Sequence, residues 1–109
     1  MSAKKRLSPT HPGDILKEEL EERGISLNKL ARDTRIPLSR ISLIANGKRA
    51  VTAETALRFA RYFGTSAQVR MNLQTAYDLE IAERKTGKSI GREVLQADSN
   101  AALPANLEL

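Results

Sequence analysis

The sequence predicts an all-α domain of five helices with a C-terminal extension, and three observations carry that expectation. Apolar residues recur at three- and four-residue spacing in each candidate segment, no segment alternates apolar and polar residues as a half-buried strand does, and each segment is bracketed by helix start and stop residues. The first helix is expected to start at Pro12, which tolerates a first turn because the N–H it lacks is unpaired there, with Asp14 complementing the dipole and Gly24 as the stop. His11 then reads as a helix-start residue rather than a ligand. Ile15, Leu16 and Leu20 face inward, and Glu18, Glu19, Glu21 and Glu22 face out.

Ser26 caps a second helix from Leu27 to about Thr34, whose inward face is Leu30 and Ala31. Pro37 suits the first turn of a third helix, which runs to about Ala45, turns Ile41 and Ile44 inward and is closed by Asn46-Gly47. Thr52 caps a fourth, with Ala56, Leu57, Ala60 and Phe63 at helical spacing and Gly64 as its stop. Ser66 caps a fifth, continuing through Val69, Leu73, Ala76, Tyr77 and Ala82 to a stop at Thr86-Gly87. Leu73 and Tyr77 are expected in the core. The organisation that follows is a flexible N-terminal tail (1–10), a folded domain (11–86) and a short helix or mobile C-terminal tail (87–109).

Composition excludes several classes of function. The chain has 109 residues, no cysteine and a single histidine, so disulfides and thiolate metal sites are ruled out and stability must come from a modest core of Leu, Ile, Ala and two Phe. No apolar run approaches the ~20 residues of a membrane span, and the basic start "MSAKKRL" leads into Ser, Pro, Thr and His rather than an apolar leader. A cytoplasmic protein without membrane, cofactor, metal or small-molecule substrate is expected. No glycine-rich phosphate loop or paired carboxylates appear, so no catalytic residue is assigned and the chain is not expected to be an enzyme.

Charge points to a polyanion. Residues 1–64 carry 13 Lys/Arg against 7 Asp/Glu, a net of +6, whereas residues 65–109 carry 5 against 6. Within the basic part, the stretch "TRIPLSRISLIANGKRAVT" (Thr34–Thr52) holds Arg35, Arg40, Lys48 and Arg49 and no acid. Two short helices joined by a tight turn at Arg35 and Ile36 make a helix-turn-helix. Ala31 supplies the small residue where the second helix of the pair crosses the first, and Ile41 and Ile44 plug that second helix onto the core.

The outward face of the second helix is then Leu38, Ser39, Arg40, Ser42 and Leu43. Short side chains allow close approach to a major groove, where Arg40 can reach guanine O6 and N7. Lys48 and Arg49, just beyond the helix, together with Ser26, Arg35 and Asn46, are the candidates for phosphate contact. Leu38 and Leu43 have two readings at this stage: contact with thymine methyl groups, or packing against a neighbouring loop.

On these residues the chain resembles the lambda-repressor-like (phage repressor and Cro type) helix-turn-helix domain, from Gly24 to Gly47 and through all five helices. "HPGDILKEEL", "NGKRAVTAETALRFARYFGTS" and "NLQTAYDLE" look like the HigA/VapI group of antitoxins from bacterial toxin-antitoxin modules, over roughly two thirds of the chain, His11 to Glu83. The resemblance implies a dimer that binds operator DNA, represses its own operon and binds a small basic ribosome-dependent mRNA endonuclease, the HigB toxin. The acidic residues Glu18, Glu19 and Glu22 are the candidate toxin-docking surface, the alternative being a merely solvated face. A stand-alone phage-repressor-like regulator, and an interaction module that has lost operator reading, remain as other readings. The chain departs from the family pattern at Arg35, which stands where glycine is usual, so that the turn is expected to be strained or differently shaped, and at Leu38 and Leu43, which stand where glutamines are common. Leu27 replaces a polar residue, and Val69-Arg70 an aromatic pair.

Overall fold

The computed structural model describes residues 9–97, which form five α-helices and no strand: α1 (Pro12–Arg23), α2 (Leu27–Thr34), α3 (Leu38–Ala45), α4 (Ala53–Phe63) and α5 (Ala67–Glu93). The expected N-terminal tail, apart from Pro9 and Thr10, and the last part of the C-terminal one lie outside the described residues.

Local chemistry sets the helix ends. His11 caps α1 by accepting the Gly13 N–H at Nδ1 (2.8 Å). The hydroxyls of Ser26, Thr52 and Ser66 accept from the N–H groups of Lys29, Thr55 and Val69 at 3.0, 3.3 and 3.2 Å, each satisfying an orphan donor of a first turn. Gly24 and Gly64 end α1 and α4 at φ 67° and 72°, where a side chain would be strained. The third helix starts one residue later than its sequence indicated. Pro37 is extended (ψ 140°) and stands outside α3, and its carbonyl takes the Arg40 and Ile41 N–H groups instead.

The core gathers Leu16, Leu20, Leu30, Ala31, Ile36, Ile41, Ile44, Val51, Ala56, Phe59 and Phe63. Burial of side chains the size of Ile41 and Ile44, both fully enclosed, contributes about 1.5–3 kcal/mol each. One contact places α3 against α1 at backbone level. A Cβ at Gly13 would collide with the Ile44 carbonyl and lie 3.0 Å from that of Ala45, so only glycine allows this approach.

Four expectations need correction. In α4 the inward row is Ala56, Phe59 and Phe63, while Leu57 is 62% exposed; a three-then-four spacing carries the buried stripe, and Leu57 falls outside it. In α5, Val69 is exposed and the buried residues are polar, Arg70 and Gln74, with Leu73 and Tyr77 only half-buried. The helix also does not stop at Thr86-Gly87 but runs to Glu93. A lone interior glycine costs only about 1 kcal/mol against alanine, and the Thr86 hydroxyl donates back to the Ala82 carbonyl at 3.0 Å without breaking the ladder.

The fourth correction concerns α1. Glu19 does not face solvent: its two carboxylate oxygens accept from Nη1 and Nη2 of Arg70, both at 2.7 Å. Arg70 also donates to the Thr65 hydroxyl (3.2 Å) and lies over the rings of Phe63 and Phe59, at 4.8 and 5.9 Å from their centroids. This fork-on-fork pair locks α1 to α5 across 51 residues of chain. With Arg70 buried and Glu19 largely so, removing one partner strands a charge. Glu19→Gln should therefore lower stability by about 2–3 kcal/mol in urea unfolding, and a Glu19→Leu/Arg70→Met double variant should recover most of that loss. A Glu19→Gln protein as stable as the parent would mean that the pair fixes nothing.

Candidate nucleic-acid interface

α2 and α3 form the helix-turn-helix, and backbone geometry sets the turn between them. Arg35 sits at φ 61° and ψ 36°, the only non-glycine residue at positive φ among the described residues. Its own N–H and that of Ile36 both return to the Ala31 carbonyl, the latter at 3.2 Å, and Ile36 drops into the core. The expected strain at this position is thus present. α4 compensates: Arg58 Nη1 donates to the Thr34 carbonyl at 2.9 Å while Glu54 holds the same guanidinium. The turn is clamped from outside the motif.

With Ile41, Ile44 and Ala45 buried, α3 turns its other side outward. Ser39 and Leu43 are exposed there, Ser42 and Arg40 are half-exposed, and Leu38 stands exposed in the first turn. Ser39, Ser42, Leu43, Asn46 and Lys48 line one shallow depression. Leu38 and Leu43 keep 45% and 42% of their surface exposed.

The end of α3 places the basic residues that follow it. The Lys48 N–H bonds the Leu43 carbonyl at 2.8 Å and the Gly47 N–H bonds that of Ile44 at 3.0 Å, with Gly47 at φ 74°, so a Schellman turn carries Lys48 directly off the last turn. Asn46 ends the helix and is exposed beside it. Gln74, which the sequence left unremarked, and His11, read there only as a helix-start residue, hold this loop. Gln74 of α5 accepts the Val51 N–H at 2.8 Å, and the His11 ring lies against Gly47 and meets Tyr77 edge-on at 4.7 Å. Burial lowers the His11 pKa from its usual value, with Asp14 and Asp78 opposing, which favours the neutral ring whose Nδ1 accepts the cap hydrogen bond.

The side chains of Arg35, Arg40, Lys48 and Arg49 enter no hydrogen bond or ion pair among the described residues. Three of these cations thus flank α3, whose exposed face carries no acid, and the fourth, Arg40, stands on it. Ser26 differs from the other phosphate candidates, because its hydroxyl already caps α2. No group of acidic or histidine side chains that could hold a metal occurs among the described residues, and no helix there is long and apolar enough to cross a membrane.

Comparison with known proteins places this arrangement. Residues 16–69 match the family described as Helix-turn-helix. Over 84 residues the chain is 46% identical to virulence-associated protein I of Dichelobacter nodosus, covering 76% of this chain and 78% of that protein. The chain belongs to the lambda-repressor-like helix-turn-helix family, in its HigA/VapI group. Two solved HigA structures superpose on it. An addiction module antidote protein of the HigA family from Coxiella burnetii is 47% identical, with a TM-score of 0.79 over 83% of this chain and 99% of that one. The Pseudomonas aeruginosa antitoxin HigA, solved with the higBA promoter, is 41% identical, with a TM-score of 0.80 and the same coverage.

Against the HigA/VapI pattern, Arg35 is the departure with a measurable cost. Glycine at this left-handed position would remove about 1–2 kcal/mol of side-chain strain and give back part of it as unfolded-state entropy. Arg35→Gly should stabilise the fold by about 0.5–1 kcal/mol in thermal or urea unfolding. A destabilised variant would mean that the Arg35 side chain makes a contact that outweighs its backbone strain.

Proposed function

We propose that this chain is a DNA-binding antitoxin that represses its own toxin-antitoxin operon as a homodimer and neutralises a HigB-type toxin. One observation carries the DNA part: the exposed face of α3 projects Ser39, Arg40, Ser42 and Leu43 from a motif whose free cations, Arg35, Lys48 and Arg49, stand at both ends of that helix. Short side chains with one guanidinium among them suit a major groove, and the flanking cations suit phosphates. The P. aeruginosa relative solved with promoter DNA supports the same ligand class.

Half-site geometry and an exposed apolar surface support the dimer. One recognition helix covers a single half-site, and this motif reads palindromes as a two-fold dimer with half-sites about 34 Å apart. α5 and the segment to Leu95 offer a surface for it, since among the described residues none after Gln74 is buried and Leu79, Ile90, Val94 and Leu95 are exposed. Light scattering at tens of micromolar is expected to give twice the monomer mass; a monomer would remove this part.

For the toxin, Glu18 and Glu22 remain as the candidate docking residues. Glu19 is withdrawn from that set because Arg70 occupies it. Glu18 and Glu22 lie on α1, a different helix from the DNA-facing α3, so neutralisation by occlusion need not compete with repression. Reversing both charges should slow association with the neighbouring basic toxin, most visibly at low salt, and unchanged kinetics would move the site elsewhere.

The DNA reading is tested on the duplex upstream of the gene. Arg40→Ala should cost about 1–3 kcal/mol and relax specificity at one base pair, whereas Lys48→Ala should weaken all sequences alike and lower the salt slope by about one. Equal losses on operator and scrambled DNA for both variants would leave a protein-interaction module that has lost operator reading.

A further inference from the structure

We propose that the recognition surface identifies thymine by its 5-methyl group, through Leu43 at the centre of the outward face of α3 and Leu38 at its N-terminal edge. The proposal rests on the DNA-binding reading above and adds what the protein reads. The position of Leu43 decides it. At about 100° per residue, the direction opposite the buried Ile41, Ile44 and Ala45 passes among Ser39, Leu43 and Asn46. Leu43 is thus where a groove floor would be met first, and the hydroxyls of Ser39 and Ser42 beside it are too short to hold the helix away.

An apolar side chain at that point has few possible partners. Leu43 and Leu38 keep 42% and 45% of their surface exposed, and the neighbours of Leu43 in the depression on α3 are Ser39, Ser42, Asn46 and Lys48. Among the described residues both remain among the exposed large hydrophobic side chains. The edges of bases in a major groove carry hydrogen-bond donors and acceptors, with one large apolar exception, the methyl group of thymine. Pressed against cytosine N4 or guanine O6, Leu43 would strip water from a polar group and return no hydrogen bond. Pressed against a thymine methyl, it buries apolar surface on both sides. The discrimination is therefore two-sided.

The spacing suits two such contacts. Leu38 and Leu43 are separated by about 7.5 Å along the helix axis and about 140° around it, so Leu38 meets a second base from the N-terminal end of the helix rather than from the face that carries Leu43. Arg40, about 60° from Leu43 around the helix, remains free for a guanine. The expected half-site thus pairs thymine contacts with one guanine contact.

The experiment replaces thymine by deoxyuridine, which deletes only the methyl group and keeps every hydrogen-bonding atom. An operator is first selected from randomised duplexes with the full-length protein, and each thymine of one half-site is then exchanged singly and binding followed by fluorescence anisotropy. One or two positions should lose about fourfold in affinity, the value of one buried methyl-sized group. Leu43→Ala should abolish the sensitivity at one of them and Leu38→Ala at the other, while Leu43→Met keeps it. Both leucines are exposed, so the variants should melt at the parent temperature, and deoxyuridine exchange needs no variant at all. Affinity unchanged at every exchanged position, or sensitivity that survives both alanine variants, overturns the proposal and leaves DNA binding intact. A protein that selects no sequence and binds no duplex overturns the DNA-binding reading, and this proposal with it.

Discussion

The close approach of Gly13 to the Ile44 and Ala45 carbonyls fixes where the recognition helix can lie. α3 is only eight residues long and would not hold a helical conformation alone. It is helical because Ile41 and Ile44 are enclosed on one side and its C-terminal carbonyls abut the first turn of α1. Removing the side chain at residue 13 brings two backbones together, and the same first turn is capped by His11, whose ring lies against Gly47 at the far end of α3. The start of α1 thus sets the angle of α3 and the position of the loop bearing Lys48 and Arg49. Function at the outer face depends on a glycine and a histidine behind it.

A second set of polar contacts ties this assembly to α4 and α5. Arg58 holds the Thr34 carbonyl at the turn, Gln74 holds the Val51 N–H in the following loop, and Arg70 grips Glu19 of α1. Each joins segments more than twenty residues apart, and each satisfies a group that would otherwise be buried unpaired. The apolar core sets which faces are inside. These bonds set the register and orientation of the elements on that core.

The helix count, the caps at Ser26, Thr52 and Ser66, the stops at Gly24 and Gly64 and the helix-turn-helix were legible because they rest on local rules: side-chain hydroxyls for first-turn N–H groups, glycine at left-handed positions, apolar spacing of three and four. Ala31, Ile41 and Ile44 were legible for the same reason. What escaped was non-local. Nothing near Glu19 in sequence announces Arg70, so an acidic residue with a partner fifty-one positions away reads as solvated. Arg70 and Gln74 look like surface residues, and only the rings and loop they meet in space make them interior. Leu57 is the opposite error, an apolar residue off the buried stripe, and Thr86-Gly87 resembled a stop because a glycine's modest cost in a long helix cannot be told from a terminator by sequence. Within the candidate site, the exposed face of α3 was legible in full, while the clamps that position it were not.

In the proposed complex the outward face of α3 meets DNA, with the loop after it on the backbone and the acidic side of α1 left free. The most direct test is an NMR titration of uniformly labelled protein with a selected operator duplex, following backbone and methyl resonances together. The largest shifts should fall on Leu38, Ser39, Arg40, Ser42, Leu43, Lys48 and Arg49, with Glu18 and Glu22 unmoved. Shifts centred on α1 or on the exposed end of α5, with α3 unchanged, would contradict it.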